Sequence, residues 1–185
     1  ESRIFYIYEA IPGLLSGRHR GALQSKGKIL VFVDDDIEAD NGWLKAIKET
    51  FDDPEVQLVG GRNLPRYEDE PPEWIQWFWK KRFCGHTCSP LSLLDFGDKV
   101  REIDANYIWG LNFSIRKTAF FELSGFHPEN IPKHLQHLQG DGETGLTIKA
   151  KERGYKSVYQ PKALIYHRIP ANRMTYEYFE DRFFH

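Results

Sequence analysis

"LVFVDDDIEAD", residues 30–40, sets four apolar residues in front of three consecutive carboxylates. With Ile29 in front of it, the run Leu30-Val31-Phe32-Val33 reads as a strand buried inside a parallel sheet, so the acids fall where a central strand meets solvent. Like charges this close raise one another's pKa, a cost that proteins tolerate when a cation or a buried donor compensates. Asp34, Asp35 and Asp36 therefore ask for a cation and for what it carries.

Outward from this stretch, strand signals at residues 3–8, 28–33 and 56–60 alternate with helix-like stretches at 14–25 and 41–51. In the second helix Trp43, Leu44, Ile47, Lys48 and Phe51 place an apolar face at helical spacing. Strand, helix, strand, helix, strand predicts an α/β fold: a mostly parallel, Rossmann-like central sheet flanked by helices. Ligands of such sheets bind beyond the carboxyl ends of the strands, where Asp34 to Asp36 lie. After Pro65 an acidic, proline-bearing link leads into an aromatic helix at 73–83, then a polar loop to about 98 and an extended stretch at 103–115. A short helix from Thr118 and a loop holding His127, His134 and His137 follow. A helix at 142–153, two short strands around Val158 and at 163–166, and a terminal helix complete the chain.

A chain of 185 residues suits one domain, residues 1–185, around one core. Its 41% hydrophobic and 15% aromatic content is that of a globular protein, and a net charge of -2 gives no global attraction to nucleic acid. Two cysteines, Cys84 and Cys88, are too few for a disulfide framework and fit a reducing compartment. Their spacing lacks the second pair that makes a zinc motif specific. No stretch approaches the roughly 20 apolar residues of a bilayer span, so a cytoplasmic location is expected, with the inner face of the membrane as an option. Glu1 as first residue and strand or helix patterns running to both ends read as an excerpt of a longer polypeptide.

A strand ending in Asp-x-Asp has two chemical readings. In one the acids hold a divalent cation against a diphosphate; in the other Asp34 is the nucleophile of an aspartyl-phosphate phosphohydrolase. A plain acidic turn before a helix capped by Asp40 is the third. The phosphohydrolase reading wants a small hydroxyl residue after the second Asp, where Ile37-Glu38 stand. Upstream, Arg18 and Arg20 near a helix start suit a diphosphate, or form a solvated basic face. Downstream, Gly140-Asp141-Gly142-Glu143 opens a helix with two carboxylates. Acids there are favoured by the helix dipole, and one facing a cleft can act as a general base. His167 ends an apolar strand and is a metal-ligand candidate beside the acids.

In this order the motifs resemble glycosyltransferase family 2, with the GT-A fold, over nearly the whole chain. Ser16-Gly17-Arg18-His19-Arg20-Gly21 is similar to the family's Ala-Ala-Arg-Asn-Arg-Gly segment, and Phe32-Val33-Asp34-Asp35-Asp36 to its Asp-x-Asp signature. The stretch Trp109-Gly110-Leu111-Asn112-Phe113 through Lys117, with Gly125-Phe126, resembles its Gly-Ala-Asn-x-x-Phe-Arg-Arg segment and the Gly-Gly-Phe after it. Gly142-Glu143-Thr144, Gly154-Tyr155 and Tyr166-His167 resemble its acid motif, closing helix and strand-end histidine. The family's acid motif is usually Glu-Asp; counting back from Gly154-Tyr155 sets Glu143 at the Asp that serves as base, with Asp141 as its rival. The family domain also begins one or two strand-helix units earlier, with strands that grip the nucleotide base.

The resemblance implies an inverting, metal-dependent transfer of a sugar from a nucleotide-diphosphate donor to a saccharide or lipid-linked hydroxyl acceptor, in surface polysaccharide or glycolipid synthesis. Asp36 and His167 would bind one Mg2+ or Mn2+, with Asp34, Asp35, Arg18 and Arg20 toward the donor. Glu143 would take the acceptor proton, with Trp109, Gly110 and Asn112 lining the substrate. The aromatic helix at 73–83 reads as core packing or as a peripheral seat on lipid head groups. A non-catalytic remnant that binds metal-nucleotide is the alternative from a different class.

Overall fold

The computed structural model of the chain describes residues 4–82, 85–126 and 142–184. In chain order the elements are α1 (Leu14–Gln24), β1 (Ile29–Val33), β2 (Ile37–Ala39), α2 (Trp43–Thr50), β3 (Val56–Tyr67), α3 (Ile75–Phe78), β4 (Lys80–Arg82), β5 (Gly85–Cys88) and β6 (Leu93–Asp95). There follow β7 (Arg101–Glu102), β8 (Asn112–Arg116), α4 (Lys117–Glu122), α5 (Gly142–Glu152), β9 (Lys156–Ile169) and α6 (Tyr176–Phe184). His127, His134, His137, Cys84 and Asp141 lie outside the described residues.

The apolar run before the acids is β1, and from Ile29 to Phe32 it is apolar because both of its faces are covered; Val33, at the strand end, is exposed. Leu30 and Phe32 turn to a cluster with Phe113, Phe120 and Phe126, to which α1, α4 and α5 contribute Leu15, Ala119 and Leu146. Ile29 and Val31 turn to the opposite cluster, with Ile47 of α2 and Phe51 just after it. The rings of Phe32, Phe113, Phe120 and Phe126 meet mostly edge to face, with centroids 5.0 Å apart for Phe32 and Phe126. That geometry matches ring edge to ring face and makes the aromatic core directional.

The α/β class and the flanking helices are as expected, but the sheet is not mostly parallel. Strand β8 is inserted between β1 and β3 and is antiparallel to both, and β3 with β9 is the parallel pair. β1, β3 and β9 thus share a direction, as strand-helix-strand units require, while the strand between the first two is reversed. An interior strand needs the same apolar residues whichever way its neighbour runs. The two short strands expected near 158 and 163–166 are one strand, β9, whose register against β3 shifts between Gly61 and Asn63. Residues 4–8 form no strand, and Ile4, Phe5 and Tyr6 are exposed.

The aromatic helix expected at 73–83 is also corrected. It is a single turn, Ile75–Phe78, followed by the hairpin strand β4. Trp74 stacks on Tyr176 with centroids 4.6 Å apart, and Phe78 lies 4.8 Å from Phe179, so the rings mainly bury one another against α6. Trp77 stays exposed.

Where β3, β8 and β9 converge, a buried polar hub fixes their spacing. The Asn112 amide donates to Asn63 Oδ1 at 3.0 Å and to the Ala163 carbonyl at 2.9 Å, and its oxygen accepts from Trp43 Nε1 at 3.0 Å. Gly61 lets the strands close here, because a Cβ on it would collide with the Ala163 carbonyl oxygen and the Asn112 amide. The second register that matters joins β2 to β9 in antiparallel pairing, Ile37 opposite His167, and the Arg168 amide donates to the Asp36 carbonyl at 2.9 Å. That ladder brings the third acid of the triplet to the strand-end histidine.

Truncating Asn112 to alanine leaves a buried acceptor on Asn63, one on Ala163 and the Trp43 indole N–H without partners. The expected cost is about 3 kcal/mol of unfolding free energy, read by urea denaturation. A loss under about 1 kcal/mol would mean that water replaces the hub.

Candidate active site

The acids at the end of β1, the first turns of α1 and α5, the turn before β8 and the end of β9 enclose a cleft of about 510 Å3. Its wall carries Arg18, Asp34, Asp35, Asp36, Trp109, Gly110, Glu143, His167 and Arg173. Most candidates of the sequence analysis are gathered here; Arg20 and Asn112 are not, and Asp141 lies outside the described residues.

Arg18 organises one half. Its side chain is 8% exposed, Nη1 donates to Glu143 Oε2 at 3.1 Å, and Nη2 donates to Asp34 Oδ1 and to the Gly110 carbonyl, the latter at 3.1 Å. One guanidinium thus joins the acid triplet, the turn before β8 and the first turn of α5. Gly110 must be glycine for this, since a Cβ there would collide with Glu143 Oε2 and Arg18 Nη1. Burial raises the Glu143 pKa above its ordinary 4.5, and the nearby Asp34 charge adds to the rise. The Arg18 charge and a hydrogen bond from the Gly110 backbone offset this only in part. Such a carboxyl is a better proton acceptor than a solvated glutamate.

The other half is Asp36, His167 and Arg173. His167 is 5% exposed, and its Nδ1 lies 2.8 Å from the Leu91 carbonyl, which can only accept, so Nδ1 carries a hydrogen. Its Nε2 lies 3.0 Å from Arg173 Nη1, which can only donate, so Nε2 presents a lone pair. The 3.3 Å approach of Nε2 to Asp36 Oδ2 is therefore two acceptors bridged by Arg173, whose Nη1 also donates to that oxygen at 2.8 Å, rather than an ion pair. Asp36 Oδ1 is buried without a partner. An unpartnered carboxylate oxygen beside an imidazole lone pair fits a divalent cation of the Mg2+ or Mn2+ kind. Among the described residues no group of three or more His, Cys, Asp or Glu could hold a metal, so further ligands would have to come from a bound anion or from water.

The remaining candidates divide. Asp34 is in the cleft but engaged by Arg18, so the carboxylate that a phosphohydrolase would use as nucleophile is already ion-paired. Asp35 is exposed at the rim. Trp109 lines the cleft, its ring held by Nε1 donating to the Asn106 carbonyl at 3.0 Å. Arg20 is exposed and outside the cleft, because residues two apart on a helix point about 200° apart and Arg18 takes the inner face. Asn112 is 2% exposed and belongs to the hub below the cleft, so its side chain is structural. Sequence reasoning missed Arg173, which reaches the site from the 3-10 turn Ala171–Arg173 after Pro170. No strand or helix period links it to His167, and Pro170 was the sole local signal of a turn.

Replacing Arg18 by methionine removes the largest influence that lowers the Glu143 pKa. The Glu143 carboxyl carbon, followed by NMR titration of 13C-labelled protein, should titrate above 4.5 in the wild type and higher still in Arg18→Met. Equal values in the two proteins would show that the ion pair does not form in solution.

Comparison with known proteins gives the family and the fold. A family model for "Glycosyl transferase family 2" matches residues 1–123. A Haloferax volcanii protein, glucosyl-dolichyl phosphate glucuronosyltransferase, is 25% identical over 176 residues, 93% of this chain and 53% of its own length. The chain thus spans about half the length of that curated relative. Among solved structures, GalNAc-T7 with UDP, GalNAc and Mn2+ superposes with a TM-score of 0.55 at 18% identity, over 85% of this chain and 30% of the other. A mycobacterial protein gives 0.50 at 17% identity, over 90% and 48%. At these identities the structures speak for the fold, which is GT-A, while the family model covers well over half of the sequence. The chain belongs to glycosyl transferase family 2.

Proposed function

We propose that this chain carries the catalytic site of an inverting glycosyl transfer from a nucleotide-diphosphate sugar to an acceptor hydroxyl. The observation that carries the reading is the single cleft holding Glu143, with a raised pKa, and the Asp36–His167 pair. In the step, the acceptor oxygen attacks the anomeric carbon and forms the new glycosidic bond. The bond from that carbon to the diphosphate oxygen breaks with its electron pair leaving on the diphosphate, and the acceptor proton passes to the Glu143 carboxylate. One displacement inverts the anomeric centre. Asp141, the other candidate base, lies outside the described residues; Glu143 lines the cleft.

Arg18 holds Glu143 and Asp34 in place and keeps part of the negative charge of the cleft neutral. Asp36 and His167 would hold Mg2+ or Mn2+, which supplies neutralisation of the charge gathering on the leaving diphosphate. The Mn2+ and UDP in the GalNAc-T7 structure support that choice. Trp109 beside Gly110 offers a ring for an acceptor sugar, and the name of the Haloferax volcanii relative supports a lipid-linked saccharide as acceptor. Among the described residues no helix is long and apolar enough to cross a membrane. Trp77, exposed on the α3 turn whose Trp74 and Phe78 pack against α6, is a place where such an acceptor could be met.

Two outcomes are expected. Glu143→Gln should lower kcat for sugar transfer by about 100-fold or more with the donor Kd little changed, and the acid limb of the wild-type kcat/KM profile should fall above pH 4.5, activity dropping as pH decreases through it. An undiminished kcat moves the base elsewhere. Mn2+ with a nucleoside diphosphate at about 100 times Kd should stabilise the fold by about 2.7 kcal/mol, a rise in Tm of roughly 5–10 °C, and Asp36→Ala should abolish it. No rise with UDP, GDP, dTDP or CDP would remove the metal-diphosphate reading of the cleft.

A further inference from the structure

The Arg173 guanidinium stands where two electron-pair donors meet. Its Nη1 lies 2.8 Å from Asp36 Oδ2 and 3.0 Å from His167 Nε2. A carboxylate oxygen has lone pairs for two partners, but a neutral imidazole whose Nδ1–H is committed to a carbonyl has one, on Nε2. A cation that draws on His167 must therefore take that lone pair from Arg173. The competition is also electrostatic, because a divalent ion and a guanidinium cannot share one carboxylate oxygen at contact distance without strong repulsion.

We propose that Arg173 is the built-in counter-cation of the Asp36–His167 pair, and that binding of a divalent metal and release of Arg173 are one event. This rests on the reading of Asp36 and His167 as metal ligands. Before the exchange the guanidinium holds both ligands in place and neutralises Asp36, so the pair is preorganised without a metal. After it, the metal has taken over the carboxylate and the freed guanidinium is an additional cation in the same cleft, which Arg182 also lines. The exchange makes the cleft a stronger anion site only once the metal is in, so a diphosphate binds well to the loaded protein and poorly to the empty one. The route out is short: the Arg173 side chain is 33% exposed and hangs from a 3-10 turn rather than from a strand or long helix. Arg173 is thus a positioning residue that sets metal affinity.

The test is titration calorimetry with Mn2+ alone on the wild type, Arg173→Met and Asp36→Ala, with melting curves for each. Losing a charge-assisted hydrogen bond that the metal must otherwise break should make Arg173→Met bind Mn2+ about tenfold tighter than the wild type. Equal or weaker binding by a folded Arg173→Met overturns the exchange and leaves the metal reading standing. No Mn2+ binding by wild type or Arg173→Met overturns both. A second measurement needs no variant: modification of wild-type Arg173 by phenylglyoxal, read by mass spectrometry, should increase as Mn2+ is added. If Arg173→Met does not fold, this footprint decides, and modification that is unchanged or reduced by Mn2+ overturns the proposal.

Discussion

Four carboxylates share one small cleft, and the molecule can hold them there because two guanidiniums stand between them. Asp34, Asp35, Asp36 and Glu143 all line it. Two unit charges about 4 Å apart near a protein surface repel by about 4 kcal/mol, so such a cluster without cations would protonate or pull apart. Arg18 answers one half by joining Asp34 and Glu143, and Arg173 the other by bridging Asp36 and His167. Because Arg18 also donates to the Gly110 carbonyl, one side chain of α1 locks β1, the turn before β8 and α5 into a common geometry.

The two halves differ in how tightly they are bound, and that difference suits the roles proposed for them. Arg18 is 8% exposed at the side chain and is surrounded by partners that glycine alone lets close in. A base must be held within hydrogen-bond reach of its proton, which favours such a rigid mount. Arg173 is 33% exposed, and the oxygen it leaves without a partner, Asp36 Oδ1, is buried. A buried acceptor left open is costly unless a ligand serves it, and Arg173, unlike Arg18, has solvent to move into, as the proposed exchange requires.

The scaffold beneath explains why the halves face each other. Strand β8 separates β1 from β3, so the turn that carries Trp109 and Gly110 arrives beside the carboxyl end of β1, opposite α5. The short pairing of β2 with β9 then sets His167 against Asp36. The Asn112 hub, where three side-chain hydrogen bonds join α2, β3 and β9, braces both placements. A residue below the cleft thus governs geometry inside it without touching it.

Local chemistry was legible in the sequence wherever neighbours along the chain decide it. The run from Ile29 to Val33 had to be a buried strand, and the acids after it had to sit at its end. The spacing of Trp43, Ile47 and Phe51 had to form a helix face, and Glu143 had to open a helix. The order of motifs was enough to identify the family. Tertiary structure alone decided the rest, because strand direction, pairing partner and side-chain competition are not written in local periodicity. An apolar interior strand looks the same beside a parallel or an antiparallel neighbour, so the reversed β8 was invisible. Asn112 and Arg20 sit in motifs that read as binding, yet one is enclosed by Asn63, Ala163 and Trp43 and the other is turned outward by helical geometry. Arg173 reaches Asp36 from a position 137 residues away, and a contact at that separation exists only once the chain has folded.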